Sequence, residues 1–100
     1  MISYCLLYSG STYTGELIEN EIRHGHGIMK YATGEVYNGD WQYNHIEGYG
    51  VMEDPDGGYE GDWSNDEHHG FGTKRWAKAG TIYRGDWFEG KIQGILRCYI

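Results

Sequence analysis

One hundred residues with a net charge of −7 and a pI near 5 make one small acidic domain, without the basic footprint that DNA or RNA binding needs. Seventeen glycines against one proline argue against long helices, since each interior glycine costs a helix about 1 kcal/mol relative to alanine. Sixteen aromatic residues against fifteen Leu, Ile and Val argue against a conventional helix-on-sheet core, and no segment approaches the roughly 20 apolar residues of a membrane span.

In chain order, Ile2, Tyr4, Leu6 and Tyr8 alternate with Ser3, Cys5, Leu7 and Ser9, which predicts a strand over 1–10 that Ser9-Gly10-Ser11 turns. The start lacks the basic region of a signal peptide. Position 2 is Ile rather than Gly, and Cys98 stands third from the end, so neither common lipidation motif fits and the cytosol is the simplest compartment. Tyr13-Thr14-Gly15-Glu16-Leu17 opens the first full unit. The phrase returns as Tyr37-Asn38-Gly39-Asp40-Trp41, Tyr59-Glu60-Gly61-Asp62-Trp63 and Tyr83-Arg84-Gly85-Asp86-Trp87, with steps of 24, 22 and 24 residues. Glycine pairs follow at Gly25/Gly27, Gly48/Gly50 and Gly70/Gly72, and Gly94 with Leu96 closes the series. Such a period is the signature of a repeat array, in which each unit is one supersecondary element.

Each unit predicts a hairpin: Tyr-x-Gly-acid-Trp as a first strand, a polar connection (Gln42 to Glu47, Ser64 to His69), then a second strand starting at the later glycine (Gly27 to Tyr31, Gly50 to Glu53, Gly72 to Trp76). The chain turns between units at Ala32-Thr33-Gly34, Asp54-Pro55-Asp56-Gly57-Gly58 and Ala77-Lys78-Ala79-Gly80; Pro55 presets φ for the middle turn and Gly57 admits a positive φ. The array divides into a partial unit at 1–12, full units at 13–36, 37–58 and 59–82, and a last unit at 83–100.

Tyr-x-Gly-x-Trp followed by Gly-x-Gly at a spacing near 23 residues resembles the MORN (membrane occupation and recognition nexus) repeat, and three strong copies in register make the resemblance specific. It implies an all-β, single-layer twisted ribbon of consecutive antiparallel hairpins with an aromatic-lined groove on one face. Leu17 in place of the first Trp and Leu96 in place of the last glycine mark degenerate terminal units, as solenoid caps usually are.

Strand alternation leads to the same columns. Residues i, i+2 and i+4 share a face, so the Tyr, Gly and Trp of each phrase point together and the acids Glu16, Asp40, Asp62 and Asp86 point away. Either the rings are core, lying on bare glycine backbone, or part of the set lines a groove for a peptide or an amphipathic or basic helix. The candidate contact residues are Tyr37, Trp41, Tyr49, Tyr59, Trp63, Phe71, Tyr83 and Trp87, with Trp41, Trp63, Tyr49 and Phe71 at the centre, because binding hot spots are central and rich in Trp and Tyr. His26, Tyr49, Phe71 and Ile95 form a further column. The acids read as a solvated back face or a contact for a basic helix.

Other chemistries fare worse. His24, His26, His45, His68 and His69 with Glu47 suggest a metal site, but neighbouring units lie about 10 Å apart whereas zinc ligands lie about 2 Å from the ion; no metal or other cofactor is expected. The glycine pairs do not extend to a phosphate-binding loop, and no nucleophile elbow is present, so an enzyme is not expected. Lys74, Arg75 and Lys78 make a small basic cluster, too few for strong phosphoinositide binding, and an acidic surface is repelled by anionic lipid. Cys5 and Cys98 near opposite ends would be on the order of 35 Å apart, beyond disulfide reach. The resulting expectation is a scaffold that binds a protein or peptide, with a peripheral membrane tether and a self-assembling structural unit as alternatives.

Ile95 to Ile100 is short of charge and predicts an open edge strand that pairs with a second copy. With Leu96, Cys98 and Ile100 in that edge, a Leu96→Lys or Ile100→Lys variant is expected to run as a monomer in sedimentation equilibrium; a variant that keeps a wild-type dimer mass overturns the edge pairing.

Overall fold

The computed structural model describes residues 4–8, 10–19 and 21–94, for 4–8 the backbone alone. The edge residues Leu96, Cys98 and Ile100, and with them the Cys5–Cys98 separation, lie outside the described residues. Among the described residues nine strands form one antiparallel sheet in which every neighbour in sequence is a neighbour in space. They are β1 (Tyr4–Tyr8), β2 (Ser11–Ile18), β3 (Ile22–Lys30), β4 (Val36–Gln42), β5 (His45–Asp54), β6 (Gly57–Ser64), β7 (Glu67–Trp76), β8 (Thr81–Phe88) and β9 (Lys91–Gln93). The all-β single-layer ribbon of hairpins is therefore the fold. Its long axis is 44 Å and its short axes 23 and 21 Å. The ten-residue strands β5 and β7 each carry a bulge, which bends them.

The bend has a cause in the register. Within a hairpin, Gly39 faces Gly50 and Trp41 faces Ile46, which leaves Asp40 alone opposite Glu47, Gly48 and Tyr49. The same irregularity puts Asp62 opposite His69, Gly70 and Phe71, and Glu16 opposite His24, Gly25 and His26. Between hairpins the pairing runs without a shift: His26 faces Asp40, Tyr49 faces Asp62 and Phe71 faces Asp86. A bulge of this kind bends its strand and leaves ladder groups unpaired. The acid supplies the missing acceptor. Glu16 Oε2 takes the His26 N–H at 2.8 Å, Asp40 Oδ2 that of Tyr49 at 3.3 Å, and Asp62 Oδ2 that of Phe71 at 3.0 Å. Glu16, Asp40 and Asp62 are thus structural parts of their hairpins as well as a polar face.

The two glycines of each pair serve different ends. Gly48 and Gly70 take positive φ (99° and 61°), where the chain passes the carboxylate of Asp40 or Asp62. Gly50 and Gly72 lie under the rings of Tyr37 and Tyr59, where a Cβ would fall inside the ring. The core is accordingly aromatic. Tyr13, Tyr37, Tyr59, Tyr83, Trp41, Trp63 and Trp87 are buried with Met29 and Ile46, and Leu17, Tyr31, Met52, Trp76 and Ile92 pack against them.

The hairpin tips depart from expectation. Gln42 to Glu47 and Ser64 to His69 are not loops: only Tyr43-Asn44 and Asn65-Asp66 turn, and the second strands begin at His45 and Glu67 rather than at Gly50 and Gly72. Both residues of each turn have positive φ (47° and 70°; 51° and 69°), the mirror-image turn whose twist matches a hairpin. The tips also tie one unit to the next. Asn44 N–H donates to Arg23 O at 2.9 Å and Asp66 N–H to Ile46 O at 3.0 Å. In return, Asn44 Oδ1 and Asp66 Oδ1 accept from the N–H groups of Arg23 and Ile46.

Gly50→Ala is expected to lose about 3 kcal/mol of stability, because its methyl group forces Tyr37 off the backbone. Urea denaturation measures it, and a loss under 1 kcal/mol overturns the claim that the ring requires bare backbone.

Candidate functional site

Six of the eight candidate contact residues lie on one face, and their polar atoms are engaged within the sheet. Each tyrosine lies along its own strand: the hydroxyls of Tyr13, Tyr37, Tyr59 and Tyr83 donate to the carbonyls of Glu16, Asp40, Asp62 and Asp86 at 2.7–2.9 Å. Each tryptophan reaches back one unit. The indole N–H groups of Trp41, Trp63 and Trp87 donate to the carbonyls of Gly27, Gly50 and Gly72 at 3.1, 3.1 and 3.2 Å. The rings meet edge to face in an unbroken series, Tyr13–Trp41–Tyr37–Trp63–Tyr59–Trp87–Tyr83, with centroids 5.0 to 5.5 Å apart. That arrangement suits the ring quadrupoles. Burial, with the Asp40 charge second, holds the Tyr37 hydroxyl far above its ordinary pKa; burial and then Asp62 push Tyr59 up to about 12.

A second column covers these rings. Ile46 is buried, the Arg23 guanidinium stands 4.9 Å from the Trp41 ring centre, and His68 lies flat on Tyr59 at 3.8 Å and nearly perpendicular to Trp63 and Trp87. Burial, and then the Lys74 charge, lower the His68 pKa from 6.5 to about 4.

Tyr49 and Phe71 sit on the opposite face, 50% and 59% exposed. They do not share a groove with Trp41 and Trp63, which is a correction to the expected central four. Strand parity carried the signal: Gly50 pairs with Gly39 on the tryptophan face, so Tyr49, one residue before it, must point away. On their own face the two rings alternate with carboxylates along the ribbon axis. Asp40, Tyr49, Asp62, Phe71 and Asp86 follow one another, because each ring hydrogen-bonds through its backbone to one acid and pairs across the strand with the next. The Tyr49 hydroxyl donates to Glu60 Oε2 at 2.6 Å, which raises its pKa. Tyr49 and Phe71 wall a shallow depression that Glu60, Gly61, Asp62, Thr73, Arg75 and Arg84 complete.

The histidines and Glu47 are occupied at the tips. His24 Nδ1 accepts the Tyr43 N–H at 3.2 Å and Glu47 accepts that of Asn65 at 2.8 Å, while the His69 ring leans on Phe88. His45 Nδ1 lies 2.7 Å from Asp66 and His26 Nδ1 lies 3.8 Å from Asp40. Of the residues suggestive of metal ligands, His24 and Glu47 thus cap the turn of the next hairpin, and His69 packs beside it.

The fold and this site define a linear repeat ribbon with a closed aromatic face and an open acidic-aromatic face. The MORN repeat family model matches residues 13–36, 37–58, 59–81 and 83–95, so the chain belongs to the MORN repeat family. It is similar to MORN repeat-containing protein 3 of Xenopus laevis, 37% identical over 73 residues, covering 65% of this chain. The match spans 30% of that relative's length.

His68 makes stability depend on pH. With its folded pKa below the unfolded value, the unfolded chain binds the proton more readily, so this contribution is complete above about pH 6.5 and is lost as pH falls toward about 4. After discounting for its partial exposure the loss is on the order of 1–2 kcal/mol. Urea melts of wild type and His68→Phe between pH 7 and 4 are expected to show a shallower decline in the variant; parallel declines overturn the assignment.

Proposed function

We propose that this chain is a non-catalytic protein-interaction module whose contact surface is the face bearing Tyr49 and Phe71, and whose partner is a basic peptide segment. The observation that carries this reading is the division of labour between the faces. The Tyr and Trp rings of the repeat phrase have their polar atoms bonded and their faces covered, whereas Tyr49 and Phe71 stand exposed between fixed carboxylates. Exposed aromatic surface that the fold does not consume marks an interaction site. The flanking acids select positive charge and steer its approach. Tyr37, Trp41, Tyr59, Trp63, Tyr83 and Trp87 support the surface from behind.

The same acids disfavour a lipid tether, since anionic headgroups are repelled by a row of carboxylates. Within the cell the proposed setting is the cytoplasm, with any membrane or cytoskeletal association made through the partner. An end-to-end homodimer through the C-terminal strand is compatible with this use, because it would lengthen the ribbon and leave the Tyr49–Phe71 face open.

Panning a displayed random-peptide library at low salt tests the reading. Wild type is expected to enrich Lys- and Arg-rich sequences, and Tyr49→Ala/Phe71→Ala, folded by circular dichroism, to bind them about tenfold or more weakly. Enrichment without basic residues, or equal binding by the variant, overturns it. Salt-sensitive flotation of the wild type with anionic vesicles would favour the tether instead.

A further inference from the structure

Asp40, Tyr49, Asp62, Phe71 and Asp86 form a ruler. Like residues recur every second strand, about 9.6 Å along the ribbon, so the face repeats carboxylate and ring with that period. Asp40 and Asp62 are each held by the N–H of the ring residue in their own hairpin, which makes acid and ring one preset unit rather than two mobile side chains. We propose that the segment recognised here is a proline-rich, basic stretch in the polyproline II conformation, with a positive side chain at every third position; this rests on the interaction role proposed above.

The match is one of period, shape and chemistry. A polyproline II chain has three residues per turn and rises about 3.1 Å per residue, so positions three apart share a side and lie about 9.3 Å apart. An α-helix would present every seventh residue, about 10.5 Å apart. Over the three steps from Glu16 to Asp86 the carboxylates span about 29 Å, the polyproline chain about 28 Å and the helix about 31.5 Å. The sheet also twists by roughly 20–25° per strand, so the row turns about 45° per unit. A slender chain without internal hydrogen bonds follows that turn, and a straight helix leaves it.

The rings fit as well. Flat, separated aromatic side chains walling a shallow depression are what proline rings pack against. Tyr49 is steadied for this by its bond to Glu60. The lysines or arginines meet Asp40 and Asp62; of the two arginines that also line the depression, Arg75 is paired with Glu53 at 3.4 Å, and Arg84, opposite Thr73, stands on β8 at the Asp86 end of the row.

Amide chemical-shift titrations with synthetic peptides test the inference. The probes are four Lys-Pro-Pro triplets, four Lys-Pro-Pro-Pro quartets, and an amphipathic α-helical peptide with four lysines at seven-residue spacing. The triplet peptide is expected to shift the amides of 48–50 and 70–72, to bind about tenfold more tightly than the quartet peptide, and to lose those shifts with Tyr49→Ala/Phe71→Ala. Tighter binding of the helical or quartet peptide at the same amides overturns the polyproline inference and leaves the interaction face standing. Absence of binding by all three, or shifts that survive the double substitution, overturns both.

Discussion

Everything in this ribbon depends on a tyrosine ring lying on backbone that carries no side chain. Tyr37 covers Gly50, and Gly39 faces that same glycine from the neighbouring strand, so the two strands and the ring meet where a single Cβ would separate them. A one-layer sheet has no second layer to bury its apolar face. Large flat side chains laid on glycine solve this, because each buries 150–250 Å² or so within the thickness of its own sheet. The tryptophan of the next unit then closes the edge of the tyrosine and bonds back to the glycine carbonyl, so burial and hydrogen bonding are satisfied by the same pair of side chains.

The second constraint is the bulge. Three residues opposite one acid leave the middle residue of Gly-x-Gly without its regular ladder partner, and the carboxylate takes that N–H. This links packing to recognition. The glycine that permits the bulge, the acid that completes it and the side chain it displays are set by one local geometry, and the displayed side chain alone is open to vary: His26, Tyr49 and Phe71 occupy the same place in successive hairpins. Surface chemistry can therefore change along the ribbon while the core phrase stays constant.

Much of this was legible because the repeat phrase states both faces at once. Tyr37, Gly39 and Trp41 in alternation with Asn38 and Asp40 fixed the core column and its polar reverse. The tips were less legible because Tyr43-Asn44 and Asn65-Asp66 lack the glycine that usually announces a mirror-image turn, and because residues such as His68 read as polar connection although they stack in the core. The sidedness of Tyr49 and Phe71 was missed for a different reason: aromatic character alone grouped them with Trp41 and Trp63, whereas strand parity separates them. The capping roles of His24 and Glu47 depend on backbone groups of the following hairpin, which no local pattern displays.

Among the described residues the bonds that join units run between neighbours: Trp63 to Gly50, Asn44 to Arg23, Asp66 to Ile46. No contact of that kind among the described residues skips a unit, so free energy accumulates as a chain of nearest-neighbour couplings rather than as one shared core. Cooperativity then has a length. A fault at the Trp63 junction uncouples the units on its two sides, so that each side melts by itself, whereas a fault within a globular core is felt throughout. Amide exchange along such an array is set by distance from the nearest weak junction, and an added unit strengthens chiefly the neighbour it touches.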